Sequence, residues 1–264
     1  GGAVGSRVWL WEAAGMNLAV QSVRQAWQTG RKKLSRRLLH WRMRGQPEAA
    51  ILAAERKLRG VELFEKLQRA DVVVVSFGKS GRTWLRVMMS HLFRVMYKLP
   101  KNAVLGFDNF HNLNREVPKV FFTHDNYIKD FTGDLHSKES FYNKRVILLA
   151  RDPRDVAVSQ FFQWKFRIKP GKVAINNYPP QGSDISLFDF VMGDNGGSMQ
   201  AVTNYLNLWA AEVGKMEHFH LLRYEDLRAR PREELRRLLD FMNVAATDAQ
   251  VDAAVNYSSY ENMK

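Results

Sequence analysis

Residues 71–83, with the sequence DVVVVSFGKSGRT, decide the fold, because a strand, a glycine loop and a helix start follow one another directly. The four valines at 72–75 form a continuous β-branched run, which is typical of a strand buried in a parallel sheet. Residues 76–81 predict a loop, and residues 83–97 predict a helix. A loop of this kind presents backbone N–H groups to an anion, and the helix dipole adds about half a positive charge there. The segment therefore predicts a phosphate-binding loop.

The side chains of this loop suit an anion as well. Lys79 supplies a full positive charge, and Ser80 and Thr83 supply hydroxyl donors. The order differs from the GxxxxGK[ST] pattern of ATP-binding loops, because the lysine here precedes Ser-Gly. No acidic residue suited to holding a metal is evident at the ends of the neighbouring strands. A P-loop kinase that uses ATP and Mg²⁺ stays open as an alternative, as does an ordinary turn with a solvated lysine.

The rest of the chain alternates between strand and helix patterns. Further strands are predicted at residues 120–122, 146–149 and 218–223, and helices at 48–69, 153–167, 199–217, 231–242 and 248–256. Strands that alternate with helices predict an α/β fold, a parallel sheet with helices on both faces.

A second anion site is predicted directly after the third strand. Asp152 suits a helix N-cap and Pro153 suits the first helical position, so a helix begins there with Arg151 at its mouth. Ser159 lies almost two turns inside the helix. The competing interpretation is that Asp152 only caps the helix and Arg151 only pairs with Asp155. Ligands bind at the carboxyl ends of parallel strands, so two such sites suit a nucleotide with phosphates at both ends of its ribose.

Four segments resemble the motifs of the PAPS-dependent sulfotransferases, in the order in which that family has them. Residues 76–85 resemble the 5′-phosphosulfate loop, and residues 151–159 resemble the 3′-phosphate motif. Residues 222–227 resemble the segment whose tyrosine reaches the nucleotide, and residues 258–264 resemble the Ser-Phe-x-x-Met-Lys stretch. The resemblance covers residues 71–264 and implies a P-loop-like α/β fold.

The resemblance also implies roles for individual residues. Lys79 would bind the 5′-phosphate and stabilise the leaving group. Other residues would also contact the PAPS nucleotide: Ser80, Gly81, Arg82 and Thr83 in the loop, Arg151 and Ser159 at the 3′-phosphate, and Trp84, Tyr224 and Tyr260 at the adenine. The implied reaction is in-line displacement at sulfur, which moves a sulfuryl group from PAPS to an acceptor hydroxyl or amine without a metal ion.

The implied general base is His124, which follows the strand at residues 120–122. A histidine with a pKa near neutrality can take the proton of the acceptor as its oxygen attacks sulfur. Without the resemblance, a lone histidine at a strand end is more often a structural hydrogen-bonding group. Asp125 is the alternative base.

The chain departs from the family pattern at three places. Phe122 stands where cytosolic relatives carry the lysine of Lys-Thr-His, so a cation is missing or supplied elsewhere, and Arg82 is the candidate. Gly78 replaces the usual proline of the loop. The basic Arg-Lys-Gly segment that clamps the 3′-phosphate in the family would lie beyond Lys264, which leaves the donor affinity of this chain open.

The N-terminal part has its own character. Residues 1–47 carry nine basic residues and one acid, which is more than half of the net charge of +13. Apolar residues recur at helical spacing from Val23 to Trp41, which predicts an amphipathic helix with a basic opposite face. We expect residues 1–15 to be a remnant of cloning, residues 16–70 to form a basic helical extension, and residues 71–264 to form the sulfotransferase domain.

The basic extension has three interpretations. It is a surface helix, a helix lying in the plane of a membrane (residues 16–46), or, least favoured, a nucleic-acid arm. A non-catalytic binder of membranes or polyanions is therefore a second class of function. The chain has no cysteine and no long apolar run, which excludes disulfides and predicts no spanning segment. We expect a cytoplasmic protein whose acceptor the sequence does not identify; the membrane interpretation of the extension adds a peripheral position at a membrane surface and favours a lipid-borne or apolar acceptor.

Overall fold

A computed structural model describes residues 26–27 and 30–259, and these described residues fall into two compact units that divide between Leu58 and Arg59. In the first unit, helix α1 covers residues 30–42, and helix α2 (Glu48–Arg69) begins after a turn. The two helices are joined by His40 and Glu55, whose Nε2 and Oε2 atoms are 3.0 Å apart. Tyr260 and residues 1–25 lie outside the described residues.

The second unit is built on one parallel sheet. Its strands are β1 (Val72–Val75), β2 (Val120–Thr123), β3 (Arg145–Ala150) and β4 (His218–Arg223), in the order β2-β1-β3-β4. All four predicted strands are confirmed. Because β1 lies between β2 and β3, the segments that follow these three strands meet at one edge of the sheet.

Helices follow the strands and cover both faces of the sheet. They are α3 (Arg82–Met96), α4 (Asn109–Leu113), α5 (Ile128–Thr132), α6 (Pro153–Arg167), α7 (Leu187–Met192), α8 (Met199–Glu212), α9 (Tyr224–Ala229), α10 (Pro231–Phe241) and α11 (Asp248–Tyr257). The helix predicted over residues 199–217 is too long, because α8 gives way to a 3₁₀ turn at Val213–Lys215.

The valine run of β1 is buried on both sides, which explains its composition. Val72 and Val74 join the core formed with α3, α10 and α11, while Val73 and Val75 join the opposite core with Phe141 and Trp209. Successive side chains of a strand point to opposite faces, so a strand covered on both faces needs an apolar residue at every position. The α/β fold with helices on both faces is confirmed.

A buried ion pair fixes the chain after β2. Lys138 Nζ lies 2.6 Å from Asp125 Oδ2, and the two side chains are only 4 % and 2 % exposed. The backbone N–H of Lys138 donates to Glu212 Oε2 at 3.1 Å, which ties the same segment to the end of α8. A buried charge that loses its partner is strongly destabilising. The pair therefore holds Asp125, two residues after the end of β2, in a fixed position.

Lys138→Met is expected to lower the free energy of unfolding by about 3–5 kcal/mol, because it leaves the Asp125 carboxylate buried without a counter-charge. Urea denaturation followed by circular dichroism measures the change. The double variant Asp125→Asn with Lys138→Met removes both charges and should recover part of the loss. A loss below about 1 kcal/mol in the single variant would show that the pair has little effect on stability.

Candidate active site

The loop between β1 and α3 has the backbone of an anion site. Lys79 has a φ of 70° and Gly81 a φ of 96°, so the chain turns through left-handed conformations before the helix. Gly81 is the N-cap of α3 and has no side chain to bond the first amides of the helix. Ser80 is buried and Thr83 is exposed. The turn therefore leaves helical N–H groups available to a ligand, as the sequence predicts.

Gly81 also gives room for an aromatic ring. A Cβ at this position would lie 2.5 Å from Tyr224 Cδ2. The Tyr224 ring meets Trp84 edge-on at 5.9 Å, and the Arg151 guanidinium lies 4.4 Å from the centre of the Tyr224 ring. The indole N–H of Trp84 donates to the Ser258 carbonyl at 2.7 Å. The structure thus brings together, beside the loop, three residues that were predicted to contact the nucleotide: Trp84, Arg151 and Tyr224.

Gly81→Ala is expected to lower the free energy of unfolding by about 1–3 kcal/mol and to displace Tyr224. Alanine is strained at this φ, and its methyl group would collide with the ring. Gly133→Ala is a matched control, since Gly133 has a φ of 87° but nothing within 4 Å of an added Cβ. Urea denaturation of both variants separates backbone strain from the collision, and equal losses would show that the contact with Tyr224 is unimportant.

Gln160 supports the loop from α6, and the sequence did not predict it. Its Nε2 donates to the Gly78 carbonyl at 2.9 Å, and its Oε1 accepts from the Tyr178 hydroxyl at 2.9 Å. A Cβ at residue 78 would lie 2.5 Å from that Nε2 atom. The glycine that replaces the usual proline of the family therefore makes room for the amide. The available signal in the sequence was a polar residue next to Ser159 in the helix that follows the second anion motif.

The second predicted anion site joins the first. Arg151 Nη1 donates to the Lys79 carbonyl at 3.2 Å, and its Nη2 bonds to Asp155 at 3.1 Å. Asp152 caps α6 by accepting from the N–H of Arg154, as predicted. Ser159 lies half-buried on α6. The pairing with Asp155 thus exists alongside the contact with the loop, and neither contact excludes a bound phosphate.

His124 is held by both of its ring nitrogens. Nδ1 lies 2.8 Å from the Ser76 carbonyl, and Nε2 lies 2.6 Å from Arg82 Nη2. Because a carbonyl only accepts and a guanidinium only donates, Nδ1 carries the proton and Nε2 is the acceptor. Burial, then the charge of Arg82, lowers the pKa of His124 to about 4; the Ser76 carbonyl opposes this shift, and the charge of Lys172 adds the smallest contribution to it. The imidazole is therefore neutral at physiological pH.

Asp125, the alternative base, is paired with Lys138 and lies buried away from solvent. A carboxylate in this pair has its charge neutralised and has no access to an acceptor. Of the two candidate bases, only His124 lies in contact with a residue of the loop, Arg82.

The site has more positive charge than the sequence analysis assigned to it. Burial, then the charges of Arg167 and Arg151, lower the pKa of Lys79. Burial and the charge of Arg86 lower the pKa of Arg82 to about 10. Arg167, at the end of α6, was not predicted, because only folding brings it towards the loop.

Several polar atoms of the site are buried and have no partner. They are Arg82 Nη1, Arg151 Nε and Ser76 Oγ. Buried polar groups in proteins are nearly always bonded, so these atoms are able to accept a ligand or water as a partner. In the part of the chain that the structure describes, no group of three or more His, Asp or Glu side chains could hold a metal ion. Nor does any described helix combine the length and the apolar character needed to span a membrane.

Comparison with known proteins agrees with the geometry. Residues 69–264 match the model of the sulfotransferase domain. Cytosolic sulfotransferase 1 of Arabidopsis thaliana is 26% identical over 210 residues, which cover 70% of this chain and 60% of that protein. Sulfotransferase 2A2 of Mus musculus is 23% identical over 236 residues, which cover 83% of this chain and 75% of the relative. The chain thus spans about 60% of the length of the plant relative.

A solved structure of a mouse sulfotransferase complexed with PAP is 18% identical and aligns with a TM-score of 0.48 over 77% of this chain and 70% of that one. The family model covers well over half of the chain. This chain belongs to the sulfotransferase-domain family.

Proposed function

We propose that this protein transfers a sulfuryl group from PAPS to an acceptor hydroxyl or amine. The observation that carries the proposal is the hydrogen bond of 3.2 Å from Arg151 to the Lys79 carbonyl. Because of this bond, Arg151 of the second predicted anion site lies next to the loop of the first. A donor with phosphates at the 3′ and 5′ positions of its ribose needs two such sites side by side. ATP has no 3′-phosphate and would leave the Arg151 site unused.

The residues present fit this donor. Arg82 Nη1, Arg151 Nε and Ser76 Oγ are buried without a partner, so they are able to meet sulfate or phosphate oxygens. The residues that would hold the 5′ end are Lys79, Ser80, Gly81, Arg82 and Thr83; Arg151 and Ser159 would hold the 3′-phosphate, and Trp84, Tyr224 and Tyr260 would contact the adenine.

When bound, PAPS supplies a sulfuryl group on a phosphate leaving group. Lys79 would neutralise the charge that develops on the leaving oxygen, which lowers the barrier by electrostatic stabilisation. His124 would accept the proton of the acceptor at Nε2 while the acceptor oxygen bonds to sulfur. The proton thus ends on the imidazole, and the electron pair of the broken S–O bond stays with the phosphate. Positioning and charge neutralisation dominate such transfers.

A transfer assay with ³⁵S-labelled PAPS and a panel of hydroxyl and amine acceptors tests the proposal. We expect labelled product with at least one acceptor, none with boiled protein, and unchanged transfer in Arg115→Gln, which removes one exposed cation. Phosphoryl transfer from ATP and Mg²⁺ to the same panel, without sulfuryl transfer, would contradict it.

A membrane-borne acceptor is part of this proposal, on the evidence of the first unit. Trp27, Leu34, Leu38 and Trp41 recur at helical spacing and are 64%, 57%, 51% and 69% exposed. Exposed aromatic and aliphatic residues on a basic helix are typical of a segment that lies in a membrane interface. The word "cytosolic" in the names of several relatives supports a cytoplasmic location for the protein.

The protein is therefore expected to sediment with vesicles that contain phosphatidylserine and to stay in solution with vesicles of phosphatidylcholine alone, at low salt. Leu38→Asp with Trp41→Ala should abolish sedimentation, because both changes remove apolar area from the exposed face. The Arg115→Gln variant is the control. Sedimentation with neither kind of vesicle, or sedimentation that the double variant retains, would contradict membrane binding through residues 16–46, and equal sedimentation with both would contradict the preference for anionic lipid.

A further inference from the structure

The contact between Arg82 and His124 blocks the nitrogen that a general base needs. With Arg82 in the position described, its Nη2 donates to His124 Nε2 at 2.6 Å. The other ring nitrogen is committed to the Ser76 carbonyl at 2.8 Å. A neutral imidazole has one acceptor site, so Nε2 is unable to take a proton while the guanidinium occupies it. Either Arg82 moves during the reaction, or His124 is not the base.

Arg82 has a reason to move towards an anion. Its Nη1 is buried without a partner, and within residues 30–259 no carboxylate forms an ion pair with it. Arg86, one turn along α3, adds a second positive charge close by. A desolvated guanidinium without a counter-ion is costly, so a sulfuryl oxygen next to the loop would attract it strongly.

Helix α3 supplies the positive charge that Phe122, near the end of β2, does not carry. Phe122 stands where cytosolic relatives carry a lysine, and the Arg86 guanidinium covers the Phe122 ring at 4.9 Å from its centre. Arg82 follows Gly81 directly at the start of α3. Two cations beside the end of β2, Arg82 and Arg86, therefore come from α3, and Arg82 touches the histidine.

We propose that Arg82 is a positioning residue that gates His124: it leaves Nε2 for the sulfuryl oxygens of the bound donor, and so frees Nε2 to accept the acceptor proton. This gate rests on the proposed function. It makes the base available only when there is a sulfuryl group to transfer. The charged groups that face the imidazole are Arg82 and Lys172, with the Ser76 carbonyl on the other nitrogen.

The direction of the charge effect follows. The positive charge of Arg82 disfavours the imidazolium, so its pairing with a sulfuryl group would raise the pKa of His124 from about 4 towards its ordinary value. A base with a pKa nearer neutrality accepts the proton more readily. Burial and Lys172 stay in place, so the rise would be partial.

Nitrogen-15 NMR of the histidine rings tests the gate without relying on turnover. The His124 signals are assigned by comparison with His124→Gln, and spectra are recorded without ligand, with PAPS, and with adenosine 3′,5′-bisphosphate, which lacks the sulfuryl group. We expect PAPS to shift the Nε2 resonance and to raise the His124 pKa, whereas the bisphosphate leaves both close to their ligand-free values. Calorimetry on the same samples shows whether each nucleotide is bound.

Arg82→Thr provides the second arm, with Arg115→Thr as the control for the loss of one arginine. In Arg82→Thr, Nε2 should already be free, so His124 titrates at higher pH without ligand and PAPS adds no further shift. PAPS that binds but leaves the wild-type Nε2 resonance unchanged would overturn the gate alone. Failure of both nucleotides to bind would overturn the proposed function, and the gate with it.

Discussion

Lys79→Ala is expected to lower kcat for sulfuryl transfer by about 10²–10³-fold, which is the usual effect of removing one donor to a developing oxyanion. Lys79 is placed for this role by the left-handed turn of the loop and by the bond from Arg151 to its carbonyl. Both features act on the backbone, so the variant should keep the shape of the loop. Burial and two arginines lower the pKa of Lys79, so its proton is more easily shared with a leaving oxygen.

Single-turnover kinetics with saturating donor measures this loss separately from binding. Lys165→Ala is the matched control, because Lys165 is an exposed lysine of α6 and its removal should change kcat by less than about twofold. A loss below about tenfold in Lys79→Ala would mean that Arg82 or Arg167 carries most of the charge stabilisation.

His124→Gln is expected to lower kcat by about 10²–10⁴-fold, the range for removal of a general base. Glutamine keeps an amide that is able to bond to Arg82 or Ser76, so the local structure should survive. His136→Gln, which changes an exposed histidine, is the control and should retain full activity.

The pH dependence of the remaining rate distinguishes two roles for His124. If it is the base, His124→Gln should lose the acidic limb of the pH profile along with most of the rate. If its role is only to position Arg82, the rate should fall while the shape of the profile is unchanged. Retention of more than about one tenth of the activity with an unchanged profile would assign the base to another group.

Strands β1, β2 and β3 were predictable because each is marked by consecutive apolar residues in the sequence. The valine run of β1 and the apolar run at 146–149 of β3 are buried on both faces, while Phe122 of β2 is only half-buried. The short helix α9 escaped prediction, since its first residues follow β4 without a separate cap signal and Arg223 makes no side-chain cap. The end of α8 was misplaced because a 3₁₀ turn continues the helical pattern for three residues.

The residues of the site that lie within one sequence motif were predicted. The residues that approach the loop from distant segments were missed. The loop at residues 76–81 was predicted from its glycines, its lysine and the flanking strand and helix, with an ordinary turn as the alternative. Gln160 and Arg167 lie on α6, more than 75 residues from the loop that they approach. The contact between Arg82 and His124 spans 42 residues, so only the three-dimensional arrangement shows that the two side chains meet.

Calorimetric titration with adenosine 3′,5′-bisphosphate, compared with ATP and Mg²⁺, tests whether the loop and the Arg151 site together bind a 3′,5′-bisphosphorylated nucleotide. We expect micromolar or tighter binding of the bisphosphate, weakened at least tenfold by Lys79→Ala and by Arg151→Ala, and weaker binding of ATP with Mg²⁺. Each substitution removes a charged contact to one phosphate, so the two losses should be separate. Preferential binding of ATP with Mg²⁺, or bisphosphate binding that neither substitution weakens, would show that this is not the donor site of a sulfotransferase.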